Sequence, residues 1–140
     1  MYATVEDFKQ RLGSIFEAIY AEGDAAALDD LADAQAEVDG CISKRYRIPV
    51  TATASLPLLK GFVLTLAEER TYARAAGASY ADKVTARCAQ VRKYLEEIRS
   101  GIFVLPDASE RGEDTASAAG GISVIAGEPP LYTRSSLQGY

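Results

Sequence analysis

The sequence predicts a mainly α-helical protein: a small helical bundle with a short β-hairpin and an extended C-terminal arm. Apolar residues recur at steps of three and four in successive segments, the period of helices that bury one face. Glycines follow several of these segments, where helices commonly end. Residues 129–140 show neither helical nor strand periodicity and begin with two prolines, which favour an extended path.

The first helical segment is short. Thr4 and Asp7 have the spacing of a capping box, so a helix is expected to begin there, run through about Leu12 and end at Gly13. One more apolar turn is expected before Gly23. Its apolar residues are Ile15, Phe16 and Ile19.

The first long pattern begins after Asp24, which is suited to cap a helix. Its apolar side is predicted to comprise Leu28, Leu31, Gln35, Val38 and Ile42. Its opposite side is acidic, with Asp29, Asp33 and Glu37 at steps of four and Asp30 beside them. These carboxylates could hold a hard cation such as Mg²⁺, but a solvated helix face is the favoured interpretation.

Two further helices follow an irregular loop at about 47–55. One is expected to begin near Pro57, because proline is favoured at the start of helices. It should run to about Ala76 and end before Gly77. Its inner face is predicted to be Leu59, Phe62, Val63, Leu66 and Ala73. The next opens at a second capping box, Ser79 with Asp82, and ends at Gly101. The apolar residues along one face of this helix are Val84, Cys88, Val91, Leu95 and Ile98.

Beyond Gly101 the period changes. Ile102–Leu105 and Ile122–Ala126 are predicted as two short strands that pair as a hairpin across a small, polar linker. The predicted organisation is therefore a helical bundle at 1–105, a linker with a short β segment at 106–126, and a docking arm at 127–140.

Composition argues against several function classes. The chain has no histidine, so the commonest general base and histidine metal sites are absent, and we expect no enzymatic activity, no metal site and no cofactor. A formal charge of −5 disfavours tight binding of nucleic acid. The apolar stretch around 56–67 is too short to span a bilayer, and residues 1–7 lack signal-peptide character, so we expect a protein made in a cytosol without a membrane partner. Cys41 and Cys88 are expected to be reduced, buried thiols.

Two segments are candidate protein interfaces. The basic cluster of Lys44, Arg45, Tyr46 and Arg47 lies where the helix that begins after Asp24 should end. It either complements the helix dipole or forms an attachment patch for an acidic partner, with Tyr46 as aromatic anchor. The arm supplies side chains suited to fill pockets and a guanidinium suited to bind a carboxylate. The arm residues singled out are Pro129, Pro130, Leu131, Tyr132, Arg134, Leu137 and Tyr140.

Four stretches, in their order and spacing, carry a resemblance to a known family. They are Met1–Phe8, the helix end Ala36–Ile42 running into 45–49, the turn Ile98–Gly101, and Tyr132–Tyr140. Together they resemble the Mu-like phage and prophage head-tail adaptor (neck, head-completion) family, formerly a domain of unknown function. The resemblance covers nearly the whole chain.

The resemblance implies a structural virion protein of the neck, assembled in the host cytoplasm. Such a subunit would form a homo-oligomeric ring, a dodecamer being expected, beneath the portal protein and would link it to a stopper or tail-completion protein. Genomic DNA would pass through the ring without tight binding. If the acidic residues Asp29, Asp30, Asp33 and Glu37 line that channel, they would repel the DNA phosphates.

Two alternatives stay open. A small acidic helical regulatory or protein-binding module would also be helical, but it should form a symmetric dimer and would not need the arm. A carboxylate metalloenzyme would need acidic side chains directed into the bundle, whereas the predicted inner positions are apolar.

Overall fold

A computed structural model of the chain describes residues 1–75 and 78–111, without the side chains of 78–81. The described helices are α1 (Val5–Leu12), α2 (Ser14–Ile19), α3 (Ala25–Ile42), α4 (Leu56–Ala75) and α5 (Ala78–Ser100). Helices α3, α4 and α5 run antiparallel to their chain neighbours and form a three-helix bundle. Helix α4 also contacts α1 and α2. The predicted mainly α-helical bundle is confirmed.

Helix α1 begins at the predicted capping box. The Thr4 side chain accepts from the Asp7 amide at 3.1 Å, and the Asp7 carboxylate accepts from the Thr4 amide at 3.0 Å. Lys60 of α4 donates to Asp7 at 2.5 Å, and this hydrogen bond, with those from Thr4, lowers the pKa of Asp7 from 3.8 to about 2. Gly13, with φ of +61°, separates α1 from α2.

Helix α3 buries the predicted residues Leu31, Val38 and Ile42, and Gln35 is half-buried. The buried residues of the helix also include Ala27 and Ala34. Leu28, predicted to face inward, is 45% exposed, so that expectation was wrong. Ala27 is fully buried in its place. Asp24 is the N-cap as predicted, but its side chain makes no capping hydrogen bond and pairs with Lys9 instead.

Helix α4 is the most enclosed element, with an unbroken run of buried residues from Phe62 to Glu68. The predicted inner residues Leu59, Phe62, Val63 and Leu66 are buried. Ala73 is exposed, which corrects the prediction for the last turn. Glu68 is buried because Arg11 and Arg87 donate to its two oxygens at 3.0 and 2.9 Å. One carboxylate thereby joins α1, α4 and α5.

Helix α5 matches its predicted stripe. Val84, Cys88, Val91, Leu95 and Ile98 are all buried. Both cysteines are free, Cys41 half-buried and Cys88 buried, and burial raises the pKa of the Cys88 thiol to about 11.

The predicted β-hairpin is not supported. Ile102–Leu105 is not a strand: Phe103 and Leu105 turn inward, while Ile102 and Val104 are 78% and 56% exposed. The burial alternation is real, but no strand pairs with this segment in the described part of the chain. A single antiparallel bridge instead joins 45–47 to 109–111. The second predicted strand, 122–126, lies outside the described residues.

Candidate protein interface

One end of the bundle is built from two loops that pack on each other. We call residues 43–52 and 101–111 the platform; α3 and α5 end at it and α4 begins beside it. The two loops are joined by backbone hydrogen bonds from Arg47 to Ser109 at 3.0 Å and from Arg111 to Arg45 at 2.7 Å. Ser55 also donates to the carbonyl of Pro106. The first residues of the predicted linker therefore lie against the bundle.

Tyr46 is the buried centre of the platform. It is 1% exposed, and its hydroxyl oxygen accepts from the Leu105 amide at 3.0 Å. The prediction that Tyr46 is an aromatic anchor for a partner is therefore wrong in its physical basis, because the ring is already enclosed by the chain's own loops. Its role is to hold the 101–111 loop in place.

Arg45 forms the edge of the platform. Its guanidinium donates twice to one Glu110 oxygen, at 3.2 and 2.9 Å, and lies 5.8 Å from the centroid of the Tyr46 ring. The hydrogen bond to Glu110 raises the pKa of Arg45. Gly101, with φ of +90°, allows this approach, since a Cβ there would lie 2.0 Å from an Arg45 nitrogen.

The platform carries four basic residues, Lys44, Arg45, Arg47 and Arg111, against two acidic ones, Asp107 and Glu110. Lys44 and Arg47 are exposed, and Arg111 donates to the Ser43 carbonyl at 3.2 Å. A shallow groove of about 430 Å³ is lined by Tyr46, Arg47, Ile48 and Arg111. The position of Lys44, Arg45 and Arg47 is thus compatible with an attachment patch, and that role stays a prediction.

Sequence reasoning missed the exposed apolar residues of the platform. Ile48, Ile102 and Val104 are 46%, 78% and 56% exposed. The alternating pattern at 102–105 was the available signal, because it places every second side chain on an outer face.

The acidic residues of α3 do not form one exposed face. Asp30 is buried: Tyr20 donates to it at 2.6 Å, and Arg74 donates to both of its oxygens at 2.7 and 2.9 Å. Burial and the hydrogen bond to Asp30 raise the pKa of Tyr20. Asp30 therefore ties α3 to the ends of α2 and α4. It is not available to line a channel.

Glu37 is also committed to the bundle. It accepts from Arg70 at 3.2 Å and from Arg92 at 2.7 Å, and Arg92 also pairs with Glu69 at 2.6 Å. Burial opposes ionisation of Glu37, but the hydrogen bonds from Arg92 and Arg70 outweigh it, so the pKa is lowered. Of the four predicted channel residues, Asp29 and Asp33 are exposed, and a channel position for them stays a prediction.

The opposite end of α3 from the platform is acidic. We call this region, around α2 and the start of α3, the acidic end. Its exposed carboxylates are Glu17, Glu22, Asp24 and Asp29. It contains a partly open groove of about 530 Å³, which we call the α1–α2 groove. The lining residues are Lys9, Gly13, Phe16, Glu17, Tyr20, Ala21, Gly23 and Asp24.

Within residues 1–75 and 78–111, no group of three or more cysteine or acidic side chains is placed to hold a metal ion. No helix in this described part is long and apolar enough to cross a membrane. The predicted arm residues lie outside the described residues. They are Pro129, Pro130, Leu131, Tyr132, Arg134, Leu137 and Tyr140.

A family model described as Bacteriophage Mu, Gp36 matches residues 2–124 of the 140-residue chain. This chain belongs to that family. The match spans every described helix and the platform, so the bundle and the platform are parts of the family domain. The resemblance to a Mu-like phage protein family is confirmed. No curated protein matches this Gp36-family chain.

Proposed function

We propose that this chain is a head-tail adaptor, a structural virion subunit without enzymatic activity. Copies form a ring beneath the portal protein of a tailed phage, in the neck of the virion, and offer a surface to a stopper or tail-completion protein. Membership of a Bacteriophage Mu family supports a phage role. The separation of charge along the bundle supports assembly in a ring.

That charge separation is the observation on which the proposal rests. The basic platform and the acidic end lie at opposite ends of α3, which has 18 residues and is therefore about 27 Å long. Ring closure requires that one surface of a subunit meet a different surface of the next. Opposite charge at the two ends favours this head-to-tail contact and opposes a symmetric contact between two like ends.

The bundle is suited to act as a rigid block. Asp30, Glu37 and Glu68 each accept from arginines of other helices, and these bonds connect α1, α3, α4 and α5 with α4 at the centre. Tyr20, just after α2, also donates to Asp30. In the part of the chain that the structure describes, every buried nitrogen or oxygen atom of a side chain has a hydrogen-bond partner. A subunit held in this way keeps its two interaction surfaces in fixed relative orientation.

Mass photometry of the purified chain with the portal protein of the same phage tests the function. The expected result is a complex of one portal ring with many copies of this chain. Lys44→Glu, on the platform, should weaken assembly, whereas Lys93→Glu, on the exposed side of α5, should not. A twofold symmetric dimer that ignores the portal would instead favour the regulatory or protein-binding module.

A further inference from the structure

We propose that the α1–α2 groove is the docking site for residues 129–140 of a neighbouring copy. The inference rests on the proposed ring and adds the contact that joins consecutive subunits. The other possible occupants, the chain's own arm and the portal, are outcomes of the test below.

The groove combines an aromatic floor with an acidic rim. Phe16 and Tyr20 lie at its floor, 4% and 6% exposed and with ring centroids 4.8 Å apart, and Glu17 and Asp24 lie on its rim. Lys9 pairs with Asp24 at 3.0 Å and lies 5.4 Å from the Phe16 centroid. Glu17 has an exposed carboxylate, so a cation that enters can pair with it.

Residues 129–140 have the complementary composition. Their large side chains are Leu131, Tyr132, Leu137 and Tyr140, and Arg134 is their one charged residue. Leucine and tyrosine side chains fit an aromatic floor, and a guanidinium forms charge-assisted hydrogen bonds with carboxylates. The basic platform would repel Arg134. The acidic end is therefore the favoured docking surface for this segment.

The geometry also permits the contact. Arg111, the last described residue, lies on the platform, and the groove lies at the other end of α3, about 27 Å away along the helix. The twenty residues 112–131 can span at most about 70 Å. Head-to-tail packing brings the platform of one copy to the acidic end of the next. The neighbour's groove is then closer to residue 112 than the copy's own groove.

Disulfide trapping between two full-length variants tests the site. One variant carries Ala21→Cys in the groove, the other carries Leu137→Cys, and both carry Cys41→Ser. Mixed and oxidised, they should give a disulfide-linked heterodimer. Ala89→Cys, an exposed alanine on α5 outside the groove, is the matched control and should not crosslink to Leu137→Cys.

Three results would overturn the proposal. They are no heterodimer with Ala21→Cys, an equal yield with Ala89→Cys, and a crosslink only within one chain that carries both Ala21→Cys and Leu137→Cys. Capture of the portal by Ala21→Cys in place of Leu137→Cys would also overturn it. If wild-type rings still assemble on the portal in these cases, the docking site is wrong and the adaptor function stands.

A charge exchange provides an independent readout. Glu17→Arg should raise the concentration needed for self-assembly about tenfold, because it places two guanidinium groups together. Arg134→Glu in the same chain should restore assembly. Asp33→Arg, an exposed carboxylate of α3 outside the groove, is the control for net charge. Equal effects of Glu17→Arg and Asp33→Arg, or no rescue by Arg134→Glu, would contradict the proposed pairing.

Discussion

Replacement of two leucines by alanine tests the packing of the bundle. Leu95 of α5 is 1% exposed, whereas Leu28 of α3 is 45% exposed. Leu95→Ala removes buried methyl groups and leaves a cavity, which costs about 2 to 5 kcal/mol. Leu28→Ala removes a half-exposed side chain from a helix in which alanine is well tolerated, so it should cost less than about 1 kcal/mol. The chemical change is identical, and burial differs.

Urea unfolding followed by far-ultraviolet circular dichroism measures both variants. With a slope of roughly 1.5 kcal/mol per molar urea, Leu95→Ala should lower the midpoint by about 1 to 3 M, and Leu28→Ala by well under 1 M. Leu95→Asp should prevent folding, because a buried unpaired charge costs several kcal/mol against a domain stability of about 5 to 15 kcal/mol. Equal midpoints for Leu95→Ala and Leu28→Ala would refute the packing described for α3 and α5.

Three further predictions concern the platform and the first helix. Tyr46→Phe leaves a buried amide without its acceptor, so it should lower the free energy of unfolding by about 1 to 3 kcal/mol in urea titrations; an unchanged midpoint would contradict this. Gly101→Ala should lower the melting temperature because alanine is strained at a φ of +90° and its Cβ would displace the Arg45 guanidinium, whereas Gly40→Ala, within α3 and in open space, should raise it. Asp7 has a lowered pKa, so its stabilisation is complete above about pH 4 and is lost as the pH falls toward 2. The stability difference between wild type and Asp7→Asn should therefore shrink over that range, and a constant difference would exclude the linkage.

The sequence predicted best those features that depend on nearby residues. The capping box of Thr4 and Asp7 spans one helical turn, and the α5 stripe repeats at steps of three and four with large apolar residues. Leu28 was predicted to face inward because it is more apolar than Ala27, but Ala27 is the buried residue of the two. Local periodicity does not reveal how closely a neighbouring helix approaches.

The polar contacts of Asp30 and Tyr46 could not be predicted from the sequence, because they join residues that are far apart along the chain. Asp30 looked like part of an acidic surface, but its partner Arg74 is 44 positions away and meets it only when α4 packs on α3. Tyr46 was predicted to face a partner, but its hydroxyl group accepts from the amide of Leu105, which lies 59 positions later in the chain. The basic cluster was found in sequence, but the platform that presents it requires both loops.

An electron-microscopy map of the chain assembled on its portal tests the central claim most directly. The account predicts a ring in which the platform of each copy, with Lys44 and Arg45, faces the acidic end of the next, with Glu17 and Asp24. A twofold symmetric dimer, or a ring in which like ends meet, would contradict it.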